Sequence, residues 1–149
     1  AAAGICPDPG SKGARVSLIH VDDFAAALVR AAEAPGLPDL RYEIDDGHPG
    51  GHSWPAIRAT LATTVGRHVR LVRIPRPMML GIAGLVEMNR RVGGALTVLC
   101  LDKVPELYHP DWAVQGPRLP GWQPRFDLAA GFSDTVNWYR AKGWLDPAR

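Results

Sequence analysis

SLIHVDDFAAALVRAAEA, residues 17–34, joins an alternating apolar run to two acids and then to an alanine-rich segment. Residues 16–21 alternate in the manner of a short strand. From Asp22 or Asp23 to about Ala34 the pattern is helical. A carboxylate at the helix start accepts the free N–H groups of the first turn and sits well at the positive end of the helix dipole. Capping is therefore the expected work of the Asp22–Asp23 pair, ahead of acid–base catalysis. Phe24, Ala27, Leu28 and Ala31 recur at helical spacing and predict one buried face. A strand feeding a helix this directly points to an α/β chain.

Outward from this junction the same alternation continues. Residues 1–15 are rich in Gly, Pro and Ala and read as coil. After the PGLPD breaker, Leu40–Ile44 reads as a strand closed by the turn-forming DDGHPGGH. Ser53 is placed to cap a helix with Pro55 in its first turn, and Gly66 to stop it. VRLVRI, 69–74, reads as a strand with an arginine-lined exposed face. Pro75 and Pro77 introduce a Met-rich helix over about 77–92, read as buried and closed by Gly93-Gly94. Asp102 is placed to cap the short helix DKVPELY. Residues 109–125 read as loop with an extended piece near Trp112–Val114. Asp127 caps a last helix with the stripe Leu128, Phe132, Val136 and Tyr139, ended by Gly143 with Trp144 folding back. The expected class is α/β in the form of an α+β fragment, with few strands covered by about five helices. Three strands are few for a self-contained parallel sheet.

The 149 residues are 46% hydrophobic and 21% charged, with a net charge of +2. That is globular composition, and acids and bases look interspersed, which argues against nucleic acid as a partner. MMLGIAGLVEM, 78–88, is shorter than the ~20 residues that cross a bilayer and holds Glu87, so it reads as a buried helix ahead of an interfacial membrane helix, and no membrane partner is expected. Cys6 and Cys100 form no CxxC and read as free thiols of a reducing, cytoplasmic compartment.

The search for chemistry finds no complete active site. There is no glycine-rich phosphate loop after a strand, no GxSxG and no Tyr-x-x-x-Lys. Tyr139 and Lys142 are one residue short of that pair, and Tyr139 falls on the stripe expected to be core. His48 and His52 have a spacing seen among metal ligands but lack a Cys pair or HExxH, so they read as exposed loop histidines and no metal site is expected. LYHPDW, 107–112, gathers His109, Asp111 and Trp112 in one loop that can line a pocket or equally be an aspartate-capped turn with Trp112 as a packing anchor.

Four stretches, taken together and in order, resemble a family. They are LIHVDDFAAALVRAAE, RYEIDDGHPGGHSWPAIRATLATTVGR, the VRIPRP junction and GWQPRFDLAAGFSDTVNWYRAKGWL. The chain from about Val16 to Leu145 is similar to the C-terminal, substrate-side part of an extended short-chain dehydrogenase/reductase of the NAD-dependent epimerase/dehydratase group. The resemblance implies a Rossmann-type half ahead of this region, which carries the glycine-rich loop and the Tyr-x-x-x-Lys pair. Residues 1–15 would then be a truncated edge and 16–149 the substrate-side region. NAD or NADP would bind the full-length parent, with no cofactor bound and no catalytic residue held by this chain alone. A strand at Arg41–Ile44 would return to the edge of the main sheet. Asp23 matches the family's aspartate after the His-Val strand.

Sugar-nucleotide members have an arginine just before that strand; here Val16 takes the place, with Arg15 beside it. Their Arg-x-Gly-Asp stretch corresponds to Tyr108-His109-Pro110-Asp111, which keeps the aspartate and lacks the arginine. A nucleotide-sugar substrate is therefore doubtful and an apolar small-molecule substrate stays open, since the Met-rich helix can line an apolar pocket, although helix-spaced methionines are more often plain core. Arg15, His109, Asp111 and Trp112 are the expected substrate contacts. The alternative function is a stand-alone, non-enzymatic binding or assembly module, a homo-oligomer joined through an exposed sheet edge.

Overall fold

A computed structural model describes residues 4–9, 13–38, 41–91 and 100–145. It is a mixed α/β structure, with five helices and five short strands among the described residues. Strand β1 (Ile5–Asp8) pairs in parallel with β4 (Arg70–Arg73). A second sheet has the order β3-β2-β5, in which β2 (Arg15–Val16) is antiparallel to β3 (His52–Ser53) and parallel to β5 (Asp111–Trp112). β1 corrects the expectation of coil over residues 1–15. Its four residues bury Cys6 and Asp8 against β4, a partner more than sixty residues away that local composition does not announce.

Helix α1 (Val21–Glu33) ends at Ala34 as its composition predicts. Its cap is neither Asp22 nor Asp23. His20, two residues before Asp22, is the cap; it is extended, and its Nδ1 accepts the N–H of Asp22. Nδ1 can accept only if the ring proton is on Nε2, which faces Asp134 at 3.3 Å. The expected buried face of α1 is half open. Ala27 is buried, but Phe24 and Leu28 are exposed.

Helix α2 (Trp54–Val65) follows its local signals. The Ser53 hydroxyl accepts the N–H of Ala56, Pro55 sits in the first turn, and Gly66 caps the end at φ 71°. α2 packs against α5 (Leu128–Ala141), and Ile57 and Val136 are the buried residues of the two helices. α5 is capped by Asp127, whose carboxylate accepts the N–H of Ala130 at 2.8 Å. Gly143 and the fold-back of Trp144 also stand as expected: Trp144 N–H reaches Tyr139 O, and its ring lies beside those of Trp138 and Tyr139. Tyr139 itself is not core. It lies at the surface, because helix stripes wider than the partner's footprint leave their rim in solvent.

Helix α3 (Arg76–Arg91) is one-sided rather than buried. Met79 and Ala83 form a small core with Val104 of α4 (Lys103–Leu107), backed by Ile74 and Tyr108. The Tyr108 hydroxyl donates to the Ile74 carbonyl and closes this core at its β4 side. Met78, Leu85 and Met88 face outward. Asp102 precedes α4 without a side-chain capping bond. The expected strand at Arg41–Ile44 does not form; the segment is held instead by single backbone bonds, Glu43 N–H to Pro117 O and, just after it, Asp46 N–H to Leu18 O. Leu40 and Gly93-Gly94 lie outside the described residues. On β4, Arg70 and Arg73 are three apart, so the pleat sends them to opposite faces instead of lining one. Cys6 and Cys100 are both free thiols.

Candidate functional site

Parallel pairing of β2 with β5 sets Arg15 beside Asp111 and Val16 beside Trp112. His109 lies one step ahead, its ring 4.6 Å from that of Trp112 and its Nδ1 accepting the N–H of Asp111. Arg15, on the central strand β2, is thus brought next to His109, Asp111 and Trp112 at the β5 edge of the three-stranded sheet, although they come from two ends of the chain. All four are exposed. Trp112 is held by its indole N–H on Glu106 O at 2.9 Å. Asp111 accepts the N–H of Ala113 and the side-chain amide of Gln115. The Arg15 guanidinium turns the other way. It donates to the carbonyls of Gly50 and Gly51, the latter at 2.7 Å. Its charge is spent on fixing that glycine turn, not on facing an anion beside Asp111.

A cavity of about 120 Å³ opens elsewhere, where the Leu18–His20 segment meets the start of α5. Its wall is mostly apolar, with Leu18, Ile19, Phe126, Leu128 and Phe132, and its polar members are His20, Asp46, Asp127 and Thr135. The His20 ring stacks on Phe126 at 4.0 Å. Asp46 also binds His52, whose Nε2 donates to the carboxylate. His52 is therefore buried and paired, which corrects its reading as an exposed histidine; His48 is exposed, its ring tilted 4.3 Å from that of His52. Among the described residues no cluster of three potential ligands stands ready for a metal. The sequence holds a signal for this site in Asp45-Asp46 followed six residues later by His52, but a turn-rich context hides it.

Three carboxylates clamp the 115–126 segment to the upstream chain. Asp23, 1% exposed, accepts the N–H groups of Arg125 and Phe126 and the Arg125 guanidinium. Asp45, equally buried, accepts from the Ser17 hydroxyl, the Gly47 N–H and Arg118. Glu43 accepts the N–H groups of Gln115 and Gly116. Asp23 is thus a tether between distant segments and not the cap of its own helix. Burial works to raise Asp23 and Asp45, yet the hydrogen bonds and the arginines outweigh it, so both carboxyls lie below their ordinary range. For Glu43 the Gly116 and Gln115 N–H groups do the same.

The sign of the pH dependence follows. A carboxyl whose folded pKa is lowered adds stability above its unfolded value, and this is lost as pH falls through the folded value. Thermal melts should hold a level Tm down to about pH 5 and fall steeply below about pH 4, the unfolded carboxylate range. In Asp45→Asn that acid slope should be shallower, since one of the three titrating clamps is gone.

The described residues do not fit a dinucleotide. β1 leads into Pro9, and β4 passes through Ile74-Pro75 into α3; neither strand enters a helix by a glycine turn that would bring backbone N–H groups to a pyrophosphate. Among the described residues, these two strand exits offer no cradle for a dinucleotide.

No family model matches the chain. Among curated proteins it is similar to a ceramide reductase of Caulobacter vibrioides (strain NA1000 / CB15N), 38% identical over 136 residues. The match takes in 91% of this chain and 42% of the reductase, so the chain spans about two fifths of the length of that relative. By sequence, then, nearly all of this chain is similar to part of a reductase.

Proposed function

We propose that this chain is the substrate-side region of a nicotinamide-dependent reductase of the extended short-chain dehydrogenase type, and that its substrate is a neutral long-chain lipid of the ceramide class. The observation that carries the reading is the 38% identity with a ceramide reductase over 136 residues. In this reading the dinucleotide, NAD or NADP, and the proton-transferring tyrosine belong to a part of a longer, cytoplasmic polypeptide that this chain does not contain. The bound nicotinamide supplies the hydride; no step of that transfer is assigned to residues of this chain.

Two features support the reading. The parallel β1–β4 pair has no further strand on either side among the described residues, as expected where a larger sheet continues. The exposed Val21, Phe24 and Leu28 of α1 offer an apolar face for another layer. The sheet-edge cluster also suits a neutral substrate. With Arg15 committed to backbone carbonyls, His109 and Asp111 remain to hydrogen-bond hydroxyl and amide groups, and Trp112 to pack on a hydrocarbon chain. A phosphorylated substrate would find no free guanidinium among these four residues.

The test uses the full polypeptide with ceramide in detergent micelles and NAD+ or NADP+, run in the oxidative direction. Oxidation of a ceramide hydroxyl carbon sends a hydride to the nicotinamide and a proton to the enzyme, and reduced nicotinamide is read by its absorbance. Turnover is expected, with Trp112→Ala raising KM at least about fivefold and leaving kcat within about twofold, the signature of lost uniform binding. A polypeptide that binds neither NAD(H) nor NADP(H) would end the reading.

A further inference from the structure

We propose that Gln115 is the positioning residue of the sheet-edge cluster: it holds the Asp111 carboxylate in one orientation, ready to accept a hydrogen bond from a substrate hydroxyl or amide N–H. The inference rests on the reading above, in which Asp111 touches substrate. An exposed aspartate is by itself a poor binding group, because a ligand must first immobilise it. Asp111 is exposed, yet it is braced at its N–H and at both carboxylate oxygens. Its N–H donates to His109 Nδ1 at 3.3 Å. Its Oδ1 accepts the N–H of Ala113 at 2.9 Å, the local turn that aspartates commonly make. That bond fixes one oxygen only. The second, Oδ2, accepts from the side-chain amide of Gln115 at 3.1 Å.

A donor can orient its acceptor only if it is itself held. The Gln115 backbone N–H donates to Glu43 Oε2 at 3.0 Å, and the N–H of Gly116 donates to the same oxygen at 2.8 Å. Arg41 holds the other oxygen of Glu43 at 3.0 Å. On the near side, the N–H of Val114 donates to the Ser17 hydroxyl at 3.1 Å. The brace therefore runs from Glu43 through Gln115 to Asp111, and its far end lies 72 residues upstream of Gln115. The Gln115 side chain is exposed and adds nothing to the buried core.

The same bonds set the polarity of the site. An ionised carboxylate only accepts, and each of its oxygens has a lone pair beyond the one already used. Asp111 therefore selects O–H or N–H groups and rejects a carbonyl oxygen. His109 supplies the opposite sense. With Nδ1 accepting the Asp111 N–H, the neutral ring carries its proton on Nε2 and presents a donor. An acceptor and a donor in one loop, next to the Trp112 ring, match a ligand that carries a hydroxyl or amide N–H and a carbonyl oxygen on an apolar chain.

The test is the kinetics of ceramide oxidation by the full polypeptide, in detergent micelles with NAD+ or NADP+. Gln115→Leu keeps the bulk and removes the donor. It should raise KM about fivefold and leave kcat within about twofold, with Tm unchanged. Asp111→Ala should raise KM about tenfold; adding Gln115→Leu to it should change KM by less than about 1.5-fold, because a residue that acts only through Asp111 then has nothing to position. Gln115→Lys keeps a donor of similar reach and should stay within about twofold of the parent. A parental KM in Gln115→Leu overturns the proposal. So does an equal rise in KM with and without Asp111, which marks a group acting on its own. A rise in KM joined to a fall in Tm in both Gln115→Leu and Gln115→Ala also overturns it, since the side chain then only supports its loop. A parent that oxidises no ceramide ends the substrate reading and this proposal with it, whereas turnover that Gln115→Leu leaves untouched ends this proposal alone.

Discussion

Gly51→Ala should destabilise the protein by about 2–4 kcal/mol and lower Tm by roughly 10 °C, whereas Gly50→Ala, its neighbour, should cost only about 1 kcal/mol. Both glycines have a positive φ, 70° at Gly50 and 65° at Gly51, so both substitutions carry the strain of a left-handed backbone. Their surroundings differ. A Cβ on Gly50 would meet nothing nearer than the Arg15 guanidinium, 3.8 Å away and free to shift. A Cβ on Gly51 would lie 2.9 Å from the Val16 carbonyl carbon and 3.1 Å from the Ser17 nitrogen. Those are main-chain atoms of β2 and its exit, and they cannot yield without opening the β2–β3 pairing. Thermal melts of the two variants side by side separate the shared backbone strain from the clash. Equal losses would show that the close approach carries no energy. Because Arg15 is bonded to both glycine carbonyls, Gly51→Ala should also disturb the edge that holds Asp111 and Trp112.

Asp23→Ala should cost about 3 kcal/mol or more, and Asp22→Ala less than about 1 kcal/mol. The two acids are adjacent and chemically identical. Asp22 is exposed in the first turn of α1, where its charge interacts weakly with the helix dipole. Removal of Asp23 leaves the N–H groups of Arg125 and Phe126 without their acceptor and frees the Arg125 guanidinium. Asp23→Asn keeps one carbonyl acceptor and should fall between the two. Urea denaturation of the three variants measures this. Their m-values should match, because the surface exposed on unfolding is nearly unchanged. If Asp22→Ala and Asp23→Ala lose the same stability, the tether is not what holds the 115–126 segment.

These adjacent pairs also show what a sequence reveals and what it withholds. Ser53 with Pro55, Gly66, Asp127 and Gly143 were legible because a cap is a short-range event at fixed offsets. The helices they bound formed within a residue or two of expectation. Asp22 and Asp23 were read alike because their difference lies in partners about one hundred residues away. Helical spacing likewise marked the stripes of α1, α3 and α5 as apolar, but spacing cannot tell which stripe has a neighbour. Phe24, Leu28, Met78 and Tyr139 turned out exposed for that reason. β1 was missed because ICPD sits among prolines and glycines and earns its strand only by meeting β4. At the candidate site, Arg15 and the loop LYHPDW are legible in the sequence only as separate candidates; their pairing and the direction of the Arg15 guanidinium toward Gly50 and Gly51 come from the fold. His52 and His48 looked equivalent, and only the fold gave one of them Asp46.

The long reach of Asp23 has a bearing on how the protein is made. Its three donors lie 102–103 residues downstream. At a synthesis rate of ~5–20 residues per second the nascent chain spends ~5–20 seconds with that carboxylate unmatched. During this interval Asp23 is an ordinary hydrated acid, and α1 has its His20 cap but no anchor. Contacts this distant in the chain close late and slow folding. The 115–126 segment therefore acts as a late fastening, and a ribosome stalled before residue 126 would leave α1 without it.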